Sequence, residues 1–270
     1  MFELNKIYNQ DCLETLSTMM DKDVKVDIIL TSPPYNNSRS DVEDRITDTY
    51  SNRYDIYTDS KTEIEYCNWT VELFNKFDNV LVDNGVVLYN VSYGNEAPNT
   101  LWLMIADVIS KTPFMVADVI TWKKNSALPQ NISPNKLTRI CEFVFVLCRK
   151  SEYMTYTSNK PVTSIRESGQ KMYGVVYNYI SAPNNDGSCN LNKATYSTEL
   201  CVKLLNIYAK SASIIYDPFM GTGTTAVACK QLGHTYIGSE ISPNQCDYAH
   251  NRLFGVRKID KKQVITEELF

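Results

Sequence analysis

Short, almost continuous apolar runs alternate along this chain with stretches of helical period. Val26-Asp27-Ile28-Ile29-Leu30, Val86 to Val91, Met115 to Trp122, Cys141 to Cys148, Ser213 to Tyr216 and Thr235 to Gly238 are rich in β-branched and aromatic residues. Runs of this kind read as strands buried on both faces, the usual condition of a parallel sheet. A shorter strand, Lys6 to Asp11, opens the chain and ends in a polar cluster. Between the runs, Leu13, Leu16 and Met20 recur at helical spacing, and Trp69, Leu73, Phe74 and Phe77 share one face of a helix over about Glu63 to Leu81. A further helix is expected around Asn99 to Ser110, and another has the stripe Leu200, Leu204, Ile207 behind a capping Ser197. Asp83-Asn84-Gly85 reads as a turn before the Val86 strand. Alternating strand and helix predict an α/β fold, a doubly wound and mostly parallel sheet with helices on both faces.

Two stretches break the pattern. Residues 36–63 are polar, with tyrosines at 50, 54 and 57, and form a loop of a length usually kept for function. Residues 151–192 lack a sustained apolar period and end in the turn-like Pro183-Asn184-Asn185-Asp186-Gly187, which predicts a small inserted lobe. The chain thus divides into 1–150, the lobe 151–192, and 193–270. Its 270 residues allow one large or two small domains. No apolar run approaches the roughly 20 residues of a membrane helix, and no basic-then-apolar signal opens the sequence, so a cytoplasmic protein without membrane partners is expected.

The eight cysteines form no C-x-x-C pair, and only His234 and His250 offer imidazoles, so neither a metal site nor a histidine triad is expected. The net charge of -4 argues against a surface coated for non-specific nucleic-acid binding. Its distribution is uneven: Trp122 to Lys171 holds nine Lys or Arg against three acids, and Asn36 to Glu65 holds eight acids against four bases. A basic stretch is most often only a solvated face.

Candidate chemistry sits at two strand ends. After Leu30 the chain reads Thr31-Ser32-Pro33-Pro34-Tyr35. The prolines donate no hydrogen bond and hold the residues before them extended, so the chain leaves the sheet as a rigid hook carrying a hydroxyl, a free carbonyl and an aromatic face. An ordinary Pro-Pro loop over a packed tyrosine would use the same residues. The second strand end is Tyr216-Asp217-Pro218-Phe219-Met220-Gly221-Thr222-Gly223-Thr224-Thr225, a strand running through a glycine turn into a helix. Gly221 and Gly223 would let backbone approach a ligand, and the helix N-terminus offers free N–H donors. Glu240 ends the next strand about twenty residues on, the spacing at which a carboxylate binds a ribose diol.

Together, Asp217-Pro-Phe-x-Gly-x-Gly-Thr-Thr and Thr31-Ser-Pro-Pro-Tyr resemble the DNA amino-methyltransferases, over nearly the whole chain. With the Ser-Pro-Pro-Tyr motif first, the order is similar to the circularly permuted β group. The resemblance implies a seven-stranded Rossmann-like methyltransferase sheet and methyl transfer from S-adenosylmethionine to an exocyclic amino group of double-stranded DNA. Ser32, Pro33, Pro34 and Tyr35 would act on a base flipped out of the duplex, with Tyr35 stacked on it. Asp217, Phe219, Gly221, Thr222, Gly223 and Thr224 would surround the methionine moiety. Glu240 would hold the ribose, Ile241 would pack on the adenine, and Asp11 would reach its amino group. Family members often have a His-x-Thr-x-Lys-Pro-like segment where this chain has Asn192-Lys193-Ala194-Thr195-Tyr196-Ser197, and only Thr195 matches. Ser at position 32 favours cytosine N4 over adenine N6.

On the same resemblance the 151–192 lobe takes the place of a target-recognition region, and Lys123, Lys124, Lys136, Arg139, Arg149 and Lys150 are the candidate DNA contacts. So small a lobe implies a short target or a homodimer that shares the work, and a cognate restriction endonuclease is a further candidate partner. Three rivals use parts of the pattern. RNA and protein-glutamine methyltransferases usually place the Pro-Pro-Tyr hook after the glycine loop. A Rossmann dehydrogenase explains the glycines but not the hook. A non-catalytic DNA-binding relative would not need both motifs intact.

Overall fold

A computed structural model describes residues 2–36, 56, 61–92, 98–127, 129, 131, 133–187, 191–192 and 195–255. Tyr50, Tyr54 and Tyr57 of the acidic loop, together with Cys189, lie outside them. The strands are β1 Lys6–Tyr8, β2 Val26–Thr31, β3 Leu81–Val91, β4 Phe114–Lys124, β5 Cys141–Arg149, β6 Val162–Ile165, β7 Lys171–Tyr173, β8 Tyr179–Ala182, β9 Ile214–Asp217 and β10 Thr235–Ser239. The helices are α1 Cys12–Asp21, α2 Glu63–Val80, α3 Thr100–Lys111, α4 Thr198–Tyr208, α5 Thr224–Leu232 and α6 Pro243–Phe254.

Among the described residues, eight strands form the main sheet in the order β1-β10-β9-β2-β3-β5-β4-β8, with β6 and β7 paired separately. That is one strand more than the expected seven. The pairings from β1 through β3 are all parallel, β5 is antiparallel to both β3 and β4, and β8 is parallel to β4. Only β5 therefore opposes the others.

The apolar runs look continuous because each strand feeds two cores by turns. Ile28, Leu30, Val86, Leu88, Val144, Val146 and Ile215 pack on one side with residues of α4, α5 and α6. Ile29, Val87, Tyr89, Phe145, Leu147 and Tyr216 pack on the other with residues of α1, α2 and α3. This period of two, buried on both sides, is the doubly wound arrangement. In α1 the buried residues are Cys12, Thr15, Leu16 and Met19, whereas Met20 is exposed, so the buried stripe shares only Leu16 with the sequence reading. The Asp83-Asn84-Gly85 turn is a kink within β3, with Asn84 at φ 59°.

Helix starts follow their local chemistry. Thr62 and Glu65 close a capping box on α2, and the side chains of Ser197 and Ser242 accept backbone N–H groups at the starts of α4 and α6.

The 151–192 segment divides. Asn159 is tied to the C-terminal end of α4 by bonds to the Asn206 and Ala209 carbonyls, so the β6–β7 hairpin springs from the amino end of the sheet. From there β8 runs back along β4 as the eighth strand. Residues after it reach the carboxyl end, where Asn184 and Ser126 exchange two hydrogen bonds. Among the described residues no helix is long and apolar enough to cross a membrane, and no His/Cys/Asp/Glu group could hold a metal ion.

The described cysteines are free thiols, and all but Cys141 are buried. Burial pushes the Cys246 thiol up to about 12, and those of Cys12, Cys67, Cys148, Cys201 and Cys229 upward as well. The thiolate is the reactive form. Iodoacetamide at pH 8 should therefore modify Cys141 well before these six, as peptide mass mapping of the native protein would show.

Candidate functional site

Four parallel strands, β1, β10, β9 and β2, deliver their carboxyl ends side by side. The chain leaves β9 through α5, on one face, to β10, and leaves β2 through α2, on the other face, to β3. The β9–β2 boundary is thus a topological switch point, where open α/β sheets bind ligands. A cleft opens there. Its lining includes Asp11, Ser32, Pro34, Thr195, Phe219, Gly221, Thr222, Thr224, Glu240 and Ile241, all of them expected site residues.

Glu240 leaves β10 against the glycine turn. Its Oε2 accepts from the Gly221 amide at 2.8 Å and its Oε1 from the Ser242 amide at 2.8 Å. A carboxylate with both oxygens acting as acceptors at the cleft wall is the kind of group that binds the two hydroxyls of a diol. Gly221 adopts φ +54°, and a Cβ there would lie 3.3 Å from Asn192 Nδ2. Asp11 caps α1 by accepting from the Leu13 amide at 2.7 Å.

Asp217 works behind the cleft rather than in its wall. It is buried and accepts from Thr31 Oγ1 at 2.6 Å, Tyr196 Oη at 3.0 Å, Thr225 Oγ1 at 2.5 Å and the Phe219 amide at 3.0 Å. Burial raises its pKa, and the hydrogen bonds from Thr225, Thr31, Phe219 and Tyr196 oppose that rise. Burial, and then the Asp217 charge, hold the Tyr196 hydroxyl well above its ordinary value, so it remains a donor. One carboxylate thus fastens the end of β2 to the glycine turn. Gly223 is likewise a packing residue: it caps α5 at φ +85°, and a Cβ there would meet the Ala249 Cβ at 2.7 Å. Close approach of α6, rather than of a ligand, requires glycine at that position.

The hook is pinned from below. Tyr66 Oη donates to the Pro34 carbonyl at 2.8 Å, and Asn36 Nδ2 donates to the Lys61 carbonyl at 2.7 Å. Pro33 is buried. Ser32 Oγ lies 3.0 Å from Tyr35 Oη, which donates to Glu142 Oε2 at 2.9 Å. Asn90 Nδ2 lies 3.0 Å from the same Glu142 oxygen and 2.9 Å from Tyr35 Oη. The Lys124 ammonium pairs with Glu142 Oε1 and lies over the Trp122 ring.

A family model described as DNA methylase matches residues 26–251. The chain belongs to this DNA methylase family. Its relatives include the Type II methyltransferase M.Cfr9I of Citrobacter freundii, 25% identical over 94% of this chain and 89% of that protein. The Type II methyltransferase M.BglII of Bacillus subtilis is also 25% identical, over 93% and 69%. Among solved structures, the PvuII DNA methyltransferase (cytosine-N4-specific) superposes with a TM-score of 0.66 at 15% identity, over 95% of this chain and 86% of that one. The M1.HpyAVI–SAM complex superposes with a TM-score of 0.61 at 22% identity, over 92% and 98%. Likeness at these identities speaks to the fold.

Within this DNA methylase the basic residues part company. Arg149 is spent internally: it bonds Asp78 Oδ1 at 2.5 Å, the carbonyls of Asp78, Leu81 and Val82, and Glu152. It joins the end of α2 to β5 and is not a candidate DNA contact. Lys150 bonds the Thr112 carbonyl at 2.8 Å, beside that joint and away from the cleft, and Lys124 is held by Glu142. Lys123, near the end of β4, and Lys136 and Arg139, between β4 and β5, stand at the cleft end. Arg149→Ala would leave several carbonyls and two carboxylates short of a donor, and should cost about 2–4 kcal/mol in urea unfolding.

Sequence reasoning missed Trp69, Asn192, Tyr196 and Gln245 in the cleft. The helical period puts Trp69 on the buried face of α2, yet its ring reaches Phe219, 5.5 Å between centroids. Tyr196 stands beside Thr195 with no motif to mark it, and Asn192 Nδ2 finds Gln245 Oε1 at 3.0 Å across 53 residues.

Proposed function

We propose that this DNA methylase transfers a methyl group from S-adenosylmethionine to the N4 amino group of cytosine in double-stranded DNA, with the base flipped into the hook. The carrying observation is the Thr31–Asp217 bond, which holds the Ser32 hook and the glycine turn as two walls of one cleft. The lining fits the cofactor: the Glu240 carboxylate suits a ribose diol, Ile241 and Phe219 offer apolar surface, and Gly221, Thr222 and Thr224 surround the remaining length, with Asp11 and Thr195 at the rim. When bound, S-adenosylmethionine supplies an electrophilic methyl group on a sulfonium.

An exocyclic amine is a poor nucleophile because its lone pair is delocalised into the ring. Ser32 Oγ and the Pro33 carbonyl would accept its two hydrogens and draw the nitrogen toward tetrahedral geometry, acting through orientation and fixed dipoles. A serine hydroxyl at this place, rather than a carboxylate, is the basis for preferring cytosine. Lys123, Lys136 and Arg139 would bind phosphates, and the polar residues of the β4–β5 loop, tethered to 183–187 through Ser126 and Asn184, would read base edges.

Purified protein given tritiated S-adenosylmethionine should label unmethylated duplex DNA and leave RNA unlabelled. Label in RNA alone, or cofactor binding without transfer to any of several unmethylated genomes, would overturn the reading. Lys136→Ala should weaken binding to target and non-target duplexes alike and reduce the slope of log affinity against log salt by about 1.

A further inference from the structure

Resting on the function proposed above, we propose that Glu142 is a positioning residue that sets the direction of the Ser32 hydroxyl through Tyr35 and receives the proton released by methyl transfer. Sheet register brings the parts together. Trp122 faces Glu142 across β4 and β5, and Asn90 faces Val144 across β3 and β5. Lys124 and Glu142 each lie two residues from such a pair, so Lys124, Asn90 and Glu142 share one face at the carboxyl end. The hook brings Ser32 and Tyr35 onto the same spot.

The direction follows from counting protons. A carboxylate only accepts, and a phenol has one proton to give. Glu142 Oε2 takes that proton from Tyr35 at 2.9 Å, so the 3.0 Å contact between Tyr35 Oη and Ser32 Oγ must be donated by Ser32. The Asn90 amide group must turn its NH2 toward Glu142, because its oxygen there would oppose the carboxylate at 3.0 Å. Asn90 reaches Ser32 Oγ at only 3.3 Å. Ser32 is thereby left with its proton pointed away from the cleft and a lone pair available to the base amine. Lys124 pairs with the second oxygen, Oε1, and so leaves Oε2 to Tyr35 and Asn90.

The same chain accounts for the released proton. Forming the N–C bond as the C–S bond breaks, with the bonding pair left on sulfur, leaves the amino nitrogen one proton in excess. That proton passes to Ser32 Oγ as the serine proton passes to Tyr35 Oη and the tyrosine proton to Glu142 Oε2. The relay ends with neutral Glu142 beside Lys124, and Glu142 returns its proton to solvent between turnovers.

Steady-state kinetics on Glu142→Gln, Tyr35→Phe and the double variant test this. Phe keeps the ring but breaks the relay, while Gln presents an NH2 that donates toward Tyr35 and reverses the order. Neither residue lines the cofactor cleft, so S-adenosylmethionine affinity within twofold of wild type certifies the fold. Each single variant should lose roughly 100-fold in kcat, with KM for DNA and for S-adenosylmethionine within about threefold. The double variant should be no worse than the worse single, because a chain cut once loses nothing further at a second cut. A Glu142→Gln enzyme keeping more than about a third of wild-type kcat, or losses that multiply in the double variant, would overturn the relay alone. An inert wild type would overturn the function it rests on as well. Should Glu142→Gln fail to fold, Tyr35→Phe decides by the same kcat and KM criterion.

Discussion

Asp217→Ala should destabilise the protein by about 3–5 kcal/mol and abolish methyl transfer. The carboxylate is buried under four donors from three parts of the chain: Thr31 on β2, Tyr196 before α4, and Phe219 and Thr225 around the glycine turn. Alanine leaves these donors without an acceptor in a place water does not reach, and each unsatisfied group costs roughly 1–3 kcal/mol. Tyr196 and Thr225 can still bond one another, so the four costs do not add in full. The loss should appear as a lower urea midpoint at an unchanged m value. Asp217→Asn should be milder, because the hydroxyls can rotate to accept from its NH2. Thr31→Val, which removes one donor and spares the rest, should cost about 1 kcal/mol while lowering kcat. An Asp217→Ala protein as stable as wild type would remove the link between the hook and the glycine turn from the account.

The second large effect is expected at Glu240. Glu240→Gln should weaken S-adenosylmethionine binding by about 100-fold, close to 2.8 kcal/mol, as titration calorimetry would measure. The carboxylate accepts from the Gly221 and Ser242 amides at the cleft wall, and both its oxygens are acceptors of the kind a diol needs. Glutamine has one acceptor oxygen, so its NH2 would face either a backbone N–H or a ribose hydroxyl. Thermal stability should fall far less than with Asp217→Ala, since Glu240 stands at the cleft wall and Gly221 is a turn that can shift. Equal cofactor affinity in the variant would place the ribose elsewhere.

These two carboxylates show what the sequence made legible and what it did not. Both were expected around the cofactor: Glu240 because an acid ending the strand after a glycine turn is a local pattern with a local reason, Asp217 because the resemblance of its motif implies it. Their division of labour was not visible: Glu240 lines the cleft while Asp217 is a buried joint. The joint depends on Thr31, which lies 186 residues away.

The doubly wound sheet was readable for a similar reason, since each buried strand must be apolar on both faces. Its eighth strand was not, because β8 carries only Ile180 and Ala182 as buried residues at the sheet edge. The basic stretch misled at Arg149, Lys150 and Lys124, where composition alone cannot tell a phosphate contact from a helix-end joint or a partly buried ion pair. Glu142 and Asn90 carried no signal at all. They come together through cross-strand register, which is set by the whole sheet.

The most direct test of the central claim is nucleoside mass spectrometry on DNA from a methylation-deficient host expressing this protein, beside a host expressing Ser32→Ala. N4-methylcytosine should appear with the wild type and be lost with Ser32→Ala. N6-methyladenine alone would keep the site and its chemistry but contradict the base assignment. Absence of both from a host containing folded protein that binds S-adenosylmethionine would contradict the claim that this cleft methylates DNA.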